Sequence, residues 1–175
     1  NLLSWARSQT GKLVLNQAYI NICELISKAV EVASLPAGEK GIKIEVVCNE
    51  TVTAFADYDT LLTIIRNLLS NAIKFTPGGG KISLKASSDN QKVTIQVTDT
   101  GVGIAPENLS NLFRLDGFTT KGTNSESGTG LGLMLCKEFA EANGGTISVS
   151  STLGKGTTFT ITLPAKNVMY DQETC

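Results

Sequence analysis

Over residues 59–75 the apolar positions Leu61, Leu62, Ile65, Leu68, Leu69, Ala72 and Ile73 recur at helical spacing and gather on one face. At about 100° per residue, Asn67, Asn71 and Lys74 fall within an arc of ~60° on the opposite face. A helix with so complete an apolar face has to be covered by a second layer of structure. Pro77 and the three glycines behind it end the helix.

The neighbouring segments supply that layer. Asn21, with Glu24 three residues on, can cap a second helix whose stripe is Ile22, Leu25, Ile26, Ala29, Val30 and Ala33, and Pro36 with Gly38 should end it. Residues 42–47 alternate as a strand, and 52–56 form a shorter one. Residues 81–87 and 92–98 read as a hairpin turning at 88–91, with Val93, Ile95 and Val97 on its buried face. The stretch from 100 to 128 is rich in Gly, Asn, Ser and Thr and looks like a lid, mobile over about 106–127. Helix 131–142 and strands 146–151 and 157–163 follow, with Gly154 and Gly156 in the last turn. No pattern survives beyond Pro164. At the other end, Leu2, Leu3, Trp5 and Ala6 read as the last turns of a helix arriving from upstream. The expected architecture is α/β of the α+β kind. It is a two-layer α/β sandwich whose mixed, mainly antiparallel sheet is covered on one face by helices, with a flexible lid. The expected divisions are 1–12 as the preceding helix, 13–165 as the domain and 166–175 as a disordered tail or linker.

At 175 residues and 41% apolar content the chain has the makings of one globular domain. A net charge of -1 gives no basic field for nucleic acid or an anionic membrane, and no apolar run approaches the ~20 residues of a spanning helix. Direct membrane insertion is therefore not expected of this segment. A start at Asn1 reads as an excised piece of something longer. Cys23, Cys48, Cys136 and Cys175 form no C-x-x-C pair, and reduced thiols in a cytosolic compartment are expected. The chain has no histidine, which removes the usual general base, the commonest transition-metal ligand and any internal phospho-accepting imidazole. Any metal should then be a hard cation held by oxygen.

On the polar helix face, a side-chain amide oxygen suits Mg²⁺ and an ammonium one turn later suits a phosphate, although a solvated face is the commoner origin of such a stripe. Each mid-helix Asn costs about 0.5 kcal/mol relative to Ala, which argues against a face chosen only for solubility. Asp99 ends a strand and opens Asp99-Thr-Gly101-Val-Gly103. An ordinary turn would use the same residues, but a carboxylate fixed there can also accept from an exocyclic amine while glycine lets a flat ring approach. Gly128-Thr-Gly130-Leu-Gly132 leads into a helix start that offers backbone N–H groups to phosphate. P-loop, dinucleotide-fingerprint and protein-kinase loop patterns are absent.

In order and spacing, Asn67-Leu-Leu-Ser-Asn71-Ala-Ile-Lys74-Phe-Thr, Asp99-Thr-Gly-Val-Gly103-Ile104 and Gly128-Thr129-Gly-Leu131-Gly-Leu133 resemble the N, G1 and G2 boxes of the superfamily of gyrase, Hsp90-type chaperones, mismatch-repair ATPases and histidine kinases. The run from Asn108 through Phe113 and Arg114 to Phe118 resembles the kinase F box, and Gly154-Lys-Gly156-Thr157-Thr-Phe159 resembles the final glycine turn. The match covers roughly residues 21–164. Residues 1–9 look like the end of the dimerisation helix that precedes such a domain.

The resemblance implies ATP and Mg²⁺ as cofactors. It implies Asn71 as metal ligand, Asn67 as a second contact to metal or phosphates, Lys74 as a phosphate contact and Asp99 as adenine anchor. Gly101, Gly103, Ile104, Phe113, Gly128, Thr129, Gly130, Leu131, Gly132 and Leu133 would shape the pocket. Thr157 shares parity with Phe159 and Ile161, so it rather than Thr158 should face Asp99. Arg114 and Lys121 are the lid cations that could reach a γ-phosphate. Hydrolytic members carry a glutamate where this chain has Asn67, and an amide cannot take a proton from water. The implied activity is transfer of the γ-phosphate to a histidine on a dimerisation domain not present in the chain, with a response regulator downstream. The piece would be a monomer alone and the cytoplasmic part of a homodimeric bacterial sensor kinase, membrane-bound or soluble. A nucleotide-binding regulatory module and a slow ATPase are the alternatives.

Overall fold

The computed structural model describes residues 13–49, 51–114, 120–128 and 130–167. The helix expected over residues 1–9 and the tail beyond 167 lie outside them. Eleven elements follow in order: β1 (Gln17–Asn21), α1 (Ile22–Glu39), β2 (Lys43–Cys48), β3 (Thr53–Asp57), α2 (Tyr58–Phe75), β4 (Lys81–Ser88), β5 (Lys92–Asp99), α3 (Pro106–Leu109), α4 (Gly132–Ala142), β6 (Thr146–Thr152) and β7 (Gly156–Pro164). Five strands form one sheet in the order β2-β4-β5-β7-β6, parallel between β2 and β4 and antiparallel elsewhere. The three long helices cover one face, where Ile82, Leu84, Ile95 and Ile161 are buried against Leu61, Ile64, Ile65 and Leu68. This is the α+β sandwich read from the sequence. The other face is hydroxyl-rich; Thr98 and Thr158, paired across β5 and β7, meet there through their hydroxyls at 3.0 Å.

Four local expectations differ from the structure. Strand β3 leaves the main sheet and pairs antiparallel with β1, which periodicity did not reveal. A short helix, α3, sits inside the stretch expected to be irregular, with Leu112 buried just beyond it. Helix α1 runs through Pro36 and Gly38 to Glu39. The bond that Pro36 cannot donate would have gone to Val32, whose residue is exposed and can turn to water. The true stop is a Schellman arrangement: Ile42 N–H donates to the Ala37 carbonyl at 2.8 Å and Gly41 N–H to the Gly38 carbonyl at 3.0 Å. Gly41 takes φ 70° to make that turn. Finally, Cys23 and Cys48 are joined in a disulfide rather than held as separate thiols. The turn back from α1 into β2 brings the first turn of the helix beside the last residue of the strand, with Cα atoms 5.7 Å apart, a proximity that a 25-residue separation hides. Cys136 is a free, buried thiol whose pKa burial pushes up to about 12.

The site-bearing helix α2 is fixed at both ends. Asp57 caps its start, accepting from Thr60 N–H at 2.8 Å. Buried Asn143 holds that cap from the end of α4: its oxygen accepts from Asp57 N–H at 2.7 Å and its amide nitrogen donates to the Thr60 hydroxyl at 2.9 Å. At the far end the four terminal carbonyls, which a helix leaves without internal partners, are all taken up. Thr76 N–H donates to Ala72, the Lys40 ammonium to Ile73, Lys40 and Thr123 N–H to Lys74, and Val102 N–H to Phe75.

Candidate functional site

A cavity of about 490 Å³ opens between α2, the carboxyl end of β5 and residues 120–133. Asn67, Asn71 and Lys74 line it from α2, together with Ser70 from the same exposed side. The helix turns this polar stripe away from its buried apolar face, so the arc read from the sequence becomes one wall.

Asp99 forms the floor. As the last residue of β5 it has the inward parity of Val93, Ile95 and Val97, and it is only 7% exposed. Gly101 N–H donates to its Oδ1 at 2.8 Å. Burial raises its pKa above the usual aspartate value, and the N–H groups of Gly101 and Thr157 pull the other way. A carboxylate offers about four acceptor positions, so capacity remains for a donor entering the cavity. A β-carbon at Gly101 would collide with the Phe75 carbonyl, which explains glycine there. Thr157 faces the cavity beside Asp99, whereas Thr158 lies on the outer face.

Gly103, Ile104, Gly128, Gly130, Gly132 and Leu133 all line the cavity, while Thr129 lies outside the described residues. Leu131 sits at the N-cap of α4 without lining the cavity, and no side chain caps that helix. Its first N–H groups are therefore open to an anion, on the positive end of the helix dipole. Phe113 does not line the cavity either; it stacks edge-on against Phe159, which does, with centroids 6.4 Å apart. Of the two lid cations, Lys121 lines the cavity and Arg114 does not. Phe118, named with the F box, lies outside the described residues.

Two observations bear on whether ATP and Mg²⁺ suit these residues. Among the described residues the side-chain nitrogen of Asn67, which lines the cavity, is buried without a hydrogen-bond partner. The neutral Cys136 thiol beside it is at best a weak acceptor, so a phosphate oxygen or, with the amide turned, a cation would satisfy this group better. Among the described residues no cluster of three or more His, Cys, Asp or Glu could hold a metal. A cation here would rely on amide and phosphate oxygens, a donor set that fits Mg²⁺.

Sequence reasoning missed Ser151. Its hydroxyl accepts from Ile104 N–H at 2.8 Å, donates to the Gly156 carbonyl at 2.8 Å and meets the Thr157 hydroxyl at 2.8 Å. It thereby fastens the loop after Asp99 to the final hairpin. A serine alternating in a polar strand carries no signal of that role, because its partners lie 47 residues upstream and across a turn.

The family model of histidine kinase-, DNA gyrase B- and HSP90-like ATPases matches residues 56–167. The sensor protein SrrB of Staphylococcus aureus is 35% identical over 168 residues, which is 93% of this chain and 28% of that protein. The non-motile and phage-resistance protein of Caulobacter vibrioides is 31% identical over 172 residues, or 95% of this chain and 20% of that protein. The chain thus spans under a third of either relative. Among solved structures, the catalytic domain of histidine kinase ThkA superposes with a TM-score of 0.77 at 29% identity, covering 86% of this chain and 97% of that one. Full-length ShkA in complex with AMPPNP gives 0.80 at 33% identity, covering 93% and 34% respectively.

Proposed function

Because the chain belongs to the histidine kinase-, DNA gyrase B- and HSP90-like ATPase family, as a catalytic domain of the sensor histidine kinase kind, we propose that it binds Mg-ATP in this cavity and passes the γ-phosphate to a histidine on a separate dimerisation domain. The observation that carries this reading is the placing of Asp99 and the Asn67, Asn71 and Lys74 stripe on two sides of one cavity.

In this proposal Asp99 accepts from the adenine amino group, with Thr157 beside it assisting through a water. Ile104 and Phe159 bracket the ring, and Phe113 acts through Phe159. Gly101 and Gly103 let the floor pack closely, since a β-carbon on either would strike the backbone of Phe75 or Thr152. Asn71, joined by Asn67, would hold Mg²⁺ through side-chain amide oxygen, and the ion would supply charge neutralisation to the phosphates. Lys74, the Gly128, Gly130 and Gly132 backbone and the uncapped start of α4 beside Leu131 and Leu133 hold the phosphates. Lys121 is placed to meet the γ-phosphate; Arg114 would need the lid to move, and Thr129 belongs to the same glycine loop. An incoming imidazole attacks through its unprotonated nitrogen and forms the N–P bond as the bond to the β-phosphate oxygen breaks; ADP leaves with the electron pair, and the proton on the other ring nitrogen passes to solvent. Positioning and charge balance suffice for this step, so the amide at Asn67 is no handicap.

A histidine-bearing dimerisation domain and a downstream response regulator are the partners this reading requires. The full assembly would be homodimeric, with this segment on the cytoplasmic side, where ATP is found, of a membrane-bound or soluble kinase. Incubation with radiolabelled ATP tests the proposal. The chain alone, with no histidine, should bind nucleotide without labelling itself, and acid-labile, base-stable label should appear on an added dimerisation domain. Rapid phosphate release by the chain alone, or acid-stable label on serine or threonine, would refute it.

A further inference from the structure

Lys40 ends α1, yet its side chain is only 6% exposed. Its ammonium donates to the Ile73 carbonyl at 2.8 Å, the Lys74 carbonyl at 3.0 Å and Glu126 Oε1 at 2.8 Å. Three donors thus meet three acceptors. An ammonium withdrawn from water is costly unless fully paired, and as a plain stabilising device a pair of apolar side chains would serve as well or better. What the ammonium holds is therefore informative. Ile73 and Lys74 close the helix that carries Asn71, and Glu126 belongs to the arm 120–128, which lines the cavity through Thr120, Lys121, Ser127 and Gly128.

That arm is organised around the same contact. Glu126 Oε2 accepts from Asn124 N–H at 2.7 Å, and Gly122 N–H donates to the Glu126 carbonyl at 2.9 Å. Thr123 N–H donates to the Lys74 carbonyl at 3.0 Å. Gly122 lies so close that a β-carbon there would come 2.5 Å from Lys74 Cγ and 2.7 Å from its carbonyl oxygen. Further along, a β-carbon on Gly128 would come 2.8 Å from Lys74 Nζ. The arm wraps Lys74 and is fastened below it through Lys40. The Lys40 hydrogen bond also holds the Glu126 carboxyl below the usual glutamate range.

We propose that Lys40 and Glu126 are positioning residues for the nucleotide: by pinning the arm 122–126 to the carbonyl end of α2 they hold Lys74 against the glycine loop in the geometry that receives phosphate. Neither residue lines the cavity, so neither touches substrate. The role rests on the reading of the cavity as a Mg-ATP site, while the pin itself is independent of it.

The test uses the whole chain and the variants Glu126→Ala, Lys40→Met, Lys40→Arg and the Lys40→Met/Glu126→Ala double, each held well below its melting temperature. Mg-ATP affinity is read by calorimetry and amide exchange at Thr123 and Asn124 by NMR. Glu126→Ala and Lys40→Met should each weaken Mg-ATP binding roughly fivefold and speed exchange at both amides. Lys40→Arg should restore much of the affinity, and the double variant should be no worse than the worse single. A folded Glu126→Ala chain that binds Mg-ATP as the parent does would overturn the proposal, as would effects that add in the double variant. Failure of the parent to bind Mg-ATP would instead overturn the proposed function, and unchanged exchange in Glu126→Ala would still refute the pin.

Discussion

Asp99 pays for its position in burial, and the cost becomes useful only when a donor reaches it. Asp99→Ala should weaken ATP binding by ~1.5 to 3 kcal/mol, the worth of a hydrogen bond to a charged group, and calorimetry should show the parent preferring ATP to GTP. Its raised pKa gives a second signature. The folded state holds the proton at higher pH than the unfolded chain, so ATP affinity should fall as pH drops to that raised value. Asp99→Asn should lose that particular dependence. Asn71→Ala touches none of the buried face of α2, so the chain should keep its melting temperature and lose the Mg²⁺-dependent part of ATP binding in the same titration. An Asn71→Ala variant that unfolds would make the stripe structural. Asn67, Asn71, Lys74 and Asp99 were legible because helical and strand parity place them from neighbours alone. Lys40, Asn143 and Ser151 were not: each ties in a partner between 33 and 86 residues away, for which a single sequence holds no local signal.

At the scale of elements, helix boundaries follow caps more than helix breakers. Pro36 and Gly38 looked like a stop, yet the stop is made by Gly41 and Ile42, whose bonds return to Gly38 and Ala37. Strand β1 escaped notice because a pattern of exposed residues with one buried isoleucine has no period to detect. The cap at Asp57 carries a testable load. Burial raises its pKa, but the N–H groups of Thr60 and Asn16 outweigh burial and hold it below the ordinary value. A carboxyl with a folded pKa below its unfolded one contributes stability above the unfolded value, near 4, and loses it as pH falls through the folded value. Asp57→Ala should therefore cost about 1 to 2 kcal/mol at pH 7, and the deficit should shrink as thermal melts are moved below pH 4.

At the scale of the whole molecule, the main sheet was predictable from alternation and its helical layer from helical spacing, whereas the cross-links were not. The Cys23–Cys48 bond closes a 25-residue separation. Chain-entropy reasoning assigns such a loop about 3.5 kcal/mol, or roughly 7–14 °C in melting temperature for a domain of this size. Reductant should lower the melting temperature of the oxidised chain by that amount and leave Cys48→Ser unmoved; in a reducing compartment the same two sulfurs would stand as adjacent thiols. The end of α2 has a different kind of consequence. Its last four carbonyls are claimed by residues 40, 76, 102 and 123, drawn from the end of a preceding helix, the helix's own cap and two later loops. No contiguous fragment shorter than that span can finish the helix. A chain halted partway through folding presents an open-ended rod with the cavity wall at residues 67–74 unsteadied, so the cavity takes its shape only when the distant segments have docked.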